Sequence, residues 1–411
     1  MKGKQQIRRR LKTSSLKNER KVLRNKSVLL GVSGGAAAYK TVELIRRLKD
    51  EGTSVNVIMT EAAKKFITPL SLEIASQNKV YTDLFSDPMI HITLPANADI
   101  MVVAPATANT IGKFSRGIAD NLLTTCLLSF TNKVVLAPSM NWRMYENPLF
   151  QENLNCLLSH GVIQVGPEKG SLACGEEGIG RMSDITEIIE AVRSALSQKD
   201  LASEKILVTA GPTREYLDPV RFISNRSSGK MGYAIARAAL RRGAKVVLVS
   251  GPSALSQPKG VKFIPVETTV EMIDAINKDL PSSTVLIMSA AVSDFMLGKR
   301  SGEKIDKSGE LLLKLRQTPD ILSEIGKRNR RPFIIGFAAE TGKKIERAKR
   351  KLKEKNMDII VFNDVTEAGS GFEVDTNRVV IIDRKKAIRL PLLSKDSVAD
   401  EILNRLVEFK A

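Results

Sequence analysis

The stretch SVLLGVSGGAAAYK, residues 27–40, opens as an unbroken apolar run, passes through a serine and two glycines, and resumes with small residues. A short apolar run without polar alternation reads as a strand covered on both faces. The Ser33-Gly34-Gly35 turn then leads into a helix and turns backbone N–H groups toward the space above the strand end. The same grammar recurs outward along the chain. Residues 55–59, 100–104, 134–137 and 162–165 read as further parallel strands, with helical spacing over 36–50, 109–130, 148–160 and 184–196. Asp184 is the expected N-cap of the last helix. A polar stretch at 197–204 interrupts the pattern, which then restarts with strands at 206–210, 246–250, 285–289, 333–337, 359–362 and 379–383. Helices are expected between and after them at 230–242, 268–280, 319–328, 343–355 and 397–409. The predicted class is α/β, with two doubly wound Rossmann-like domains over 27–196 and 205–411, a linker at 197–204 and a basic flexible tail at 1–26.

Composition narrows the function classes. At 411 residues, 43% hydrophobic and 27% charged, the chain can bury two sizeable cores, so a disulfide-stapled or wholly disordered protein is excluded. Its three cysteines, Cys126, Cys156 and Cys174, share no CxxC spacing, which argues against a disulfide framework or a structural zinc site. No run reaches the roughly 18–20 apolar residues of a membrane span, so a soluble, cytoplasmic protein is expected. The net charge of +19 is concentrated: residues 1–26 hold eleven Lys/Arg against one acid, and residues 343–355 hold eight against two, leaving +3 for the remainder. A tail and one helix face carry the charge, so nucleic-acid binding through the tail is a minor reading.

Several segments bear chemistry. The Gly31–Gly35 turn has Ser33 where a dinucleotide fingerprint wants glycine, which suits a mononucleotide phosphate or merely a tight turn. APATANT, residues 104–110, ends a strand with small side chains and hydroxyls, as a ligand site or a plain helix start. PSMN, residues 138–141, places Asn141 directly after another strand. His91 is one of two histidines; the other, His160, reads as a helix C-terminal residue. Cys174 sits in the glycine-rich GSLACGEEGIGRM, residues 170–182, where a packing role is poorly served, whereas Cys126 and Cys156 read as packing residues within helices.

In this order the segments GVSGGAAAYK, HITL, APATANT, PSMN and ACGEEGIGRM resemble the flavin-dependent cysteine decarboxylases. The second half, with TAGPTREYLDPVRFISNRSSGKMG, AAVSDF, EKI, TPDI and GFAAET, resembles phosphopantothenate–cysteine ligase. From about Ser27 onward the chain is similar to the bifunctional decarboxylase/ligase family of coenzyme A biosynthesis. It departs in having PSMN for PAMN, GGAAAYK for GGIAAYK, and Asp306 where a lysine is common.

The resemblance implies a flavodoxin-like first domain holding FMN through Ser33, Gly34, Pro105, Ala106, Thr107 and Asn109. It implies that His91 assists thiol oxidation, Asn141 holds the substrate carboxylate and amide, and Cys174 supplies the final proton. For the second domain it implies joining of L-cysteine to 4'-phosphopantothenate through an acyl-cytidylate made from CTP with Mg²⁺. Asp294, Lys304, Pro319, Asp320, Ile321, Leu322, Phe337, Lys351 and Lys355 match the nucleotide site, Lys304 the activation step, and Asn225 the handling of the acyl-cytidylate. No metal ligands are assigned. The family further implies a homo-oligomer, a dodecamer of decarboxylase trimers and ligase dimers with flavin at a subunit interface. The competing enzyme reading, a two-domain nicotinamide-linked oxidoreductase, accounts for neither Cys174 nor SNRSSGKMG.

Overall fold

The structure, a computed structural model, describes residues 22–171, 175–298, 300–306, 311–342 and 345–410. The chain separates into two compact units between Ser197 and Gln198.

In the first unit, strands β1 (Ser27–Val32), β2 (Ser54–Met59), β3 (Val80–Tyr81), β4 (Ile100–Ala106), β5 (Lys133–Pro138) and β6 (Ile163–Gln164) form one sheet in the order β3-β2-β1-β4-β5-β6. Every pairing in it is parallel. Alternation along β1 sends Val28, Leu30 and Val32 into the core on one face and Leu29 into that on the other. That two-sided burial is why the strand shows no polar alternation. A hairpin, β7 (Glu168–Ser171) and β8 (Glu177–Arg181), follows the sheet. The helix Ile185–Leu196 closes the unit, turning Ile185, Ile188, Ile189, Val192 and Ala195 inward. Asp184 caps it as expected, accepting from the Thr186 N–H at 2.8 Å.

Three expectations need correction here. The stretch 109–130 is two helices, Ala108–Ser115 and Leu122–Ser129. Gly117 adopts a left-handed φ of 69°, and Asn121 starts the second helix with a capping box to Thr124. Residues 36–50 open as a 3₁₀ turn, Ala36–Lys40, before the α-helix Thr41–Asp50. The flexible tail cannot reach residue 26, because Leu23 is fully buried and the Lys26 ammonium lies 2.8 Å from Asp99.

The second unit contains β9 (Lys205–Ala210), β10 (Arg214–Tyr216), β11 (Phe222–Ser224), β12 (Lys245–Ser250), β13 (Lys262–Pro265), β14 (Val285–Met288), β15 (Phe295–Leu297), β16 (Leu315–Gln317), β17 (Phe333–Glu340), β18 (Ile359–Asp364), β19 (Thr376–Asn377), β20 (Val379–Asp383), β21 (Ala387–Arg389) and β22 (Leu393–Ser394). Its main sheet runs β13-β12-β9-β14-β17-β18-β20-β21. The first six are parallel, and β20 and β21 extend the edge antiparallel. Apolar clusters cover both faces, with Ile206, Val208 and Ala210 of β9 on one side and Leu207 on the other. The small hairpins β10–β11 and β15–β16 have too few residues to show periodicity in the sequence. The predicted helix at 319–328 is only Ile321–Gly326, because Asp320 is its N-cap. The predicted linker is in part packed: Leu201 is buried, and the Asp200 carboxylate accepts from both Nε and Nη2 of Arg242 at 2.8 and 2.6 Å.

In both sheets the strand order reverses beside the first strand of the unit, between β1 and β4 and between β9 and β14. Ligands of open α/β sheets bind in the crevice beyond the carboxyl ends of the strands at such a point.

Candidate active sites

In the first unit a cavity of about 1220 Å³ lies at that crevice. Ser33, Gly34 and Gly35 form one wall, Thr107, Ala108, Asn109 and Thr110 another, and Asn141 with Met140 a third. Ser33 is 1% exposed, and its hydroxyl donates to the Pro105 carbonyl at 2.7 Å while accepting from the Thr107 N–H at 3.0 Å. It therefore brackets the two loops together. Gly34 is required, since a Cβ there would lie 2.4 Å from that of Ala62. Thr107 caps the helix Ala108–Ser115, whose first N–H groups lack helical acceptors and face the same space. Pro105 and Ala106 end the buried strand and do not line the cavity, so they support the site from below.

Asn141 caps the turn Trp142–Tyr145 through Oδ1, which accepts from Arg143 N–H at 2.9 Å. Its Nδ2 lies 3.5 Å from Glu176 Oε2, and the same oxygen accepts from the Trp142 indole at 2.9 Å. Arg143 donates to the other oxygen at 2.8 Å. Glu176 thus ties the start of β8 to the Asn141 segment. Cys174 lies outside the described residues. His91 sits on the helix Ile90–Ala96 and is not among the residues lining this cavity. Cys126 is buried, and desolvation pushes its thiol up to about 12, so it is a packing residue.

Reading the sequence missed Lys113 and Asp120, a pair at 2.5 Å on the cavity wall. Lys113 lies four residues beyond Asn109 on one helix, a spacing that could have revealed it. The donor set comprises helix-start N–H groups, threonine hydroxyls and an ammonium, with Ala37, Met140, Met144 and Met182 supplying apolar wall. Those donors suit a phosphate and the apolar wall suits a fused ring, so a flavin mononucleotide fits.

In the second unit a cavity of about 420 Å³ opens at the ends of β14, β17 and β18, beside the start of the helix Lys230–Arg241. Asn225, Asp294, Pro319, Asp320, Ile321, Leu322, Phe337, Lys351 and Lys355 all line it. Asn225 donates from Nδ2 to the carbonyls of Ala291 and Val292, each at 3.1 Å, anchoring the loop after β14. Lys351 and Lys355 share one face as their spacing predicts, Lys351 pairing with Glu340 at 2.6 Å and Lys355 with Asp320 at 2.8 Å. Burial opposes ionisation of Asp320, yet the bonds from Lys355 and the Ser323 N–H hold its carboxyl below the usual range. Gly232 packs its helix onto β9 so closely that a Cβ would meet Ala210 Cβ at 2.5 Å.

Lys304 is the exception. It is exposed and outside the cavity lining, on a segment whose neighbour Ile305 donates its N–H to Asp218 at 3.1 Å. The sequence reading also missed Asn363, which is 8% exposed, lines the cavity and has a buried Oδ1 without a hydrogen-bond partner among the described residues. Lys395, at the head of the last helix, was missed as well. Neither carries a local motif: Asn363 comes to the site at the end of the parallel strand β18, and Lys395 only after the chain has passed through the antiparallel strands β20 and β21.

A flavoprotein family model matches residues 16–197, and the C-terminal domain model of the DNA/pantothenate metabolism flavoproteins matches 201–409. The chain is 43% identical over 395 residues to the coenzyme A biosynthesis bifunctional protein of Bacillus subtilis (strain 168), covering 94% of this chain and 97% of that one. The chain belongs to this bifunctional family. Its Escherichia coli (strain K12) member is 44% identical over 396 residues, with 94% and 97% covered. Among solved structures, the C-terminal domain of a coenzyme A biosynthesis bifunctional protein is 40% identical, with a TM-score of 0.45, covering 52% of this chain and 98% of that one. A PPC decarboxylase variant complexed with pantothenoylaminoethenethiol is 34% identical, with a TM-score of 0.37 and 41% and 97% covered. Like its family, this chain is a bifunctional enzyme of coenzyme A biosynthesis: the first unit is its flavoprotein decarboxylase, the second its phosphopantothenate–cysteine ligase. Among the described residues no helix is long and apolar enough to cross a membrane.

Proposed function

We propose that the second unit activates 4'-phosphopantothenate with CTP and Mg²⁺, releasing pyrophosphate, and that L-cysteine then displaces CMP from the acyl-cytidylate. The observation that carries this reading is the meeting of Asn225, Asp294, residues 319–322, Phe337, Lys351 and Lys355 around one cavity. Lys351 and Lys355 exchange their carboxylate partners for phosphate oxygens, with Mg²⁺ held mainly through the nucleotide. Lys304 brings a further positive charge to the phosphorus under attack. Asn225 orients the acyl group, since its amide does not titrate.

In the first unit bound FMN supplies a hydride acceptor, which makes decarboxylation of an N-acylated cysteine feasible. Asn141 holds the substrate carboxylate and amide, and Cys174 donates the closing proton. His91 assists thiol oxidation from a neighbouring copy, which is consistent with its place outside the lining of its own cavity. The working assembly is a homo-oligomer, a dodecamer of decarboxylase trimers and ligase dimers, in the cytoplasm. The test follows labelled nucleotide. With phosphopantothenate, magnesium and no cysteine, CTP should yield acyl-cytidylate and pyrophosphate in equal amounts. Release of nucleoside diphosphate and phosphate instead would replace this reading with acyl-phosphate activation.

A further inference from the structure

Four lysines line the ligase cavity among the described residues: Lys230, Lys351, Lys355 and Lys395. Three are neutralised by a carboxylate. Lys230 lies 2.6 Å from Asp375, Lys351 2.6 Å from Glu340, and Lys355 2.8 Å from Asp320. Lys395 differs. It is 6% exposed, and its Nζ donates only to the main-chain carbonyls of Gly371 and Phe372, each at 3.1 Å. No carboxylate pairs with it among the described residues. An ammonium carries three protons, so one remains after these two bonds. Burying a cation against neutral dipoles alone is costly, and structures keep such a group where an anion repays the cost.

We propose that Lys395 is a phosphoryl-binding residue of the ligase cavity, holding an anionic oxygen of bound substrate with its third N–H. The proposal rests on the nucleotide-dependent activation set out above. Its surroundings are built for this task. The Phe372 carbonyl also accepts from Ser228 Oγ at 2.5 Å, and Lys230 donates to the Glu373 carbonyl at 2.9 Å. The segment 371–373 is thereby held against the Ser227-Ser228-Gly229 turn and Lys230, and Lys395 is held at the cavity wall. Desolvation, with Lys230 adding repulsion and Asp375 opposing it, pulls the Lys395 ammonium down to about 8, the behaviour of a cation lacking its counter-charge. The phosphoryl group could belong to the nucleotide or to phosphopantothenate, which share this chemistry.

The experiment is calorimetric titration of the full-length enzyme and of Lys395→Met and Lys395→Arg with CTP, cytidine and phosphopantothenate. Loss of one charge-assisted bond predicts about 10- to 100-fold weaker binding to Lys395→Met. Loss for CTP with cytidine unchanged identifies the nucleotide's phosphates, and loss for phosphopantothenate alone identifies the acid substrate. Lys395→Arg should retain most of the affinity. If folded Lys395→Met binds all three ligands within twofold of wild type, or loses cytidine as strongly as CTP, the proposal is overturned. Should Lys395→Met fail to fold, CTP affinity of the wild type from pH 7.5 to 9 decides instead. It should fall as Lys395 loses its proton; the charged groups facing Lys395 are Lys230 and Asp375, with Asp375 held anionic by Lys230 throughout. A flat profile overturns the proposal. A wild-type enzyme that binds no nucleotide at all would instead sink the activation scheme on which it rests.

Discussion

Asp218 is a buried carboxylate that anchors the main chain next to Lys304. It is fully buried and accepts from the N–H groups of Val220 and Arg221 at 2.7 Å each, from Arg221 Nη1 at 3.0 Å and from Ile305 N–H at 3.1 Å. Arg221 also donates to the Ile305 carbonyl at 2.9 Å, so both main-chain polar atoms of Ile305 are tied down beside Lys304. Asp218→Asn forfeits a charge-assisted acceptor set and frees this loop. Activation should slow by up to about 10²-fold, the scale of a catalytic group displaced by an ångström. Nucleotide affinity should barely change, and single-turnover pyrophosphate release without cysteine is the measurement. Substitution of the lysine and of the cavity asparagine separates the chemical steps. Lys304→Gln should impair acyl-cytidylate formation, by roughly 10²–10³ in rate for one lost transition-state contact. Asn225→Asp should allow activation and stall conversion, because a carboxylate repels the phosphate of the intermediate. Rapid-quench analysis of the two products distinguishes them; the reverse pattern would overturn both assignments.

At the scale of elements, the β7–β8 hairpin and the loop after β5 behave as one piece. Met140 donates its N–H to the Gly180 carbonyl at 3.0 Å, and Gly180 has a φ of 155° with space for no side chain. A Cβ there would lie 2.0 Å from the Met140 carbonyl oxygen. Gly180→Ala must therefore push the hairpin away from Asn141. Decarboxylase turnover should fall while ligation by the same preparation continues, and assaying both halves separately checks this. The edge of the second sheet offers a stability counterpart. The Asp383 carboxylate pairs with buried Arg405 and accepts from the N–H groups of Lys385 and Lys386 at 2.7 and 3.0 Å. Although burial opposes ionisation, these donors hold its carboxyl below the usual range. Its stabilisation is therefore complete above the unfolded carboxylate value and is lost as pH falls through the lower folded one. Asp383→Asn should cost about 1–3 kcal/mol, since Arg405 loses its buried counter-charge and keeps the exposed Glu408 at 2.7 Å, read as a lower midpoint in urea. That variant should also lose part of the wild type's sensitivity to acid.

For the whole molecule, the division at Ser197 and Gln198 matters most. Each unit has apolar clusters on both faces of its own sheet, so neither needs the other to complete a core. A fragment of residues 198–411 should fold and form phosphopantothenoylcysteine without flavin. Colourless fragment that folds and binds CTP yet never ligates would show that the two activities are interdependent. The intact chain should be yellow and release FMN on denaturation.

The strand core and much of the ligase cavity were legible in the residues because their causes are local. Unbroken apolar runs such as 28–32 and 206–210 follow from two-sided burial, and glycine turns at the strand ends follow from close backbone approach. Motif order along the chain then named nine residues that share one cavity wall. What needed the tertiary structure was whatever depends on partners distant in sequence. Leu23 looked like tail until the fold buried it, and that the Ser33 hydroxyl ties Pro105 to Thr107 across the cavity wall is visible only in the fold. Helix 109–130 looked continuous because Leu122, Leu123, Cys126 and Leu127 prolong its apolar character, and the break comes from backbone geometry at Gly117. Lys395 and Asn363 bear no motif; Asn363 sits at the end of a parallel strand of the cavity, and antiparallel strands added at one edge precede Lys395 in the chain. Sequence by itself determined which segments become strands and which turns face ligand, since period and glycine placement act over a few residues. Only the tertiary structure decided which charges are paired, because pairing depends on side chains brought together across the fold.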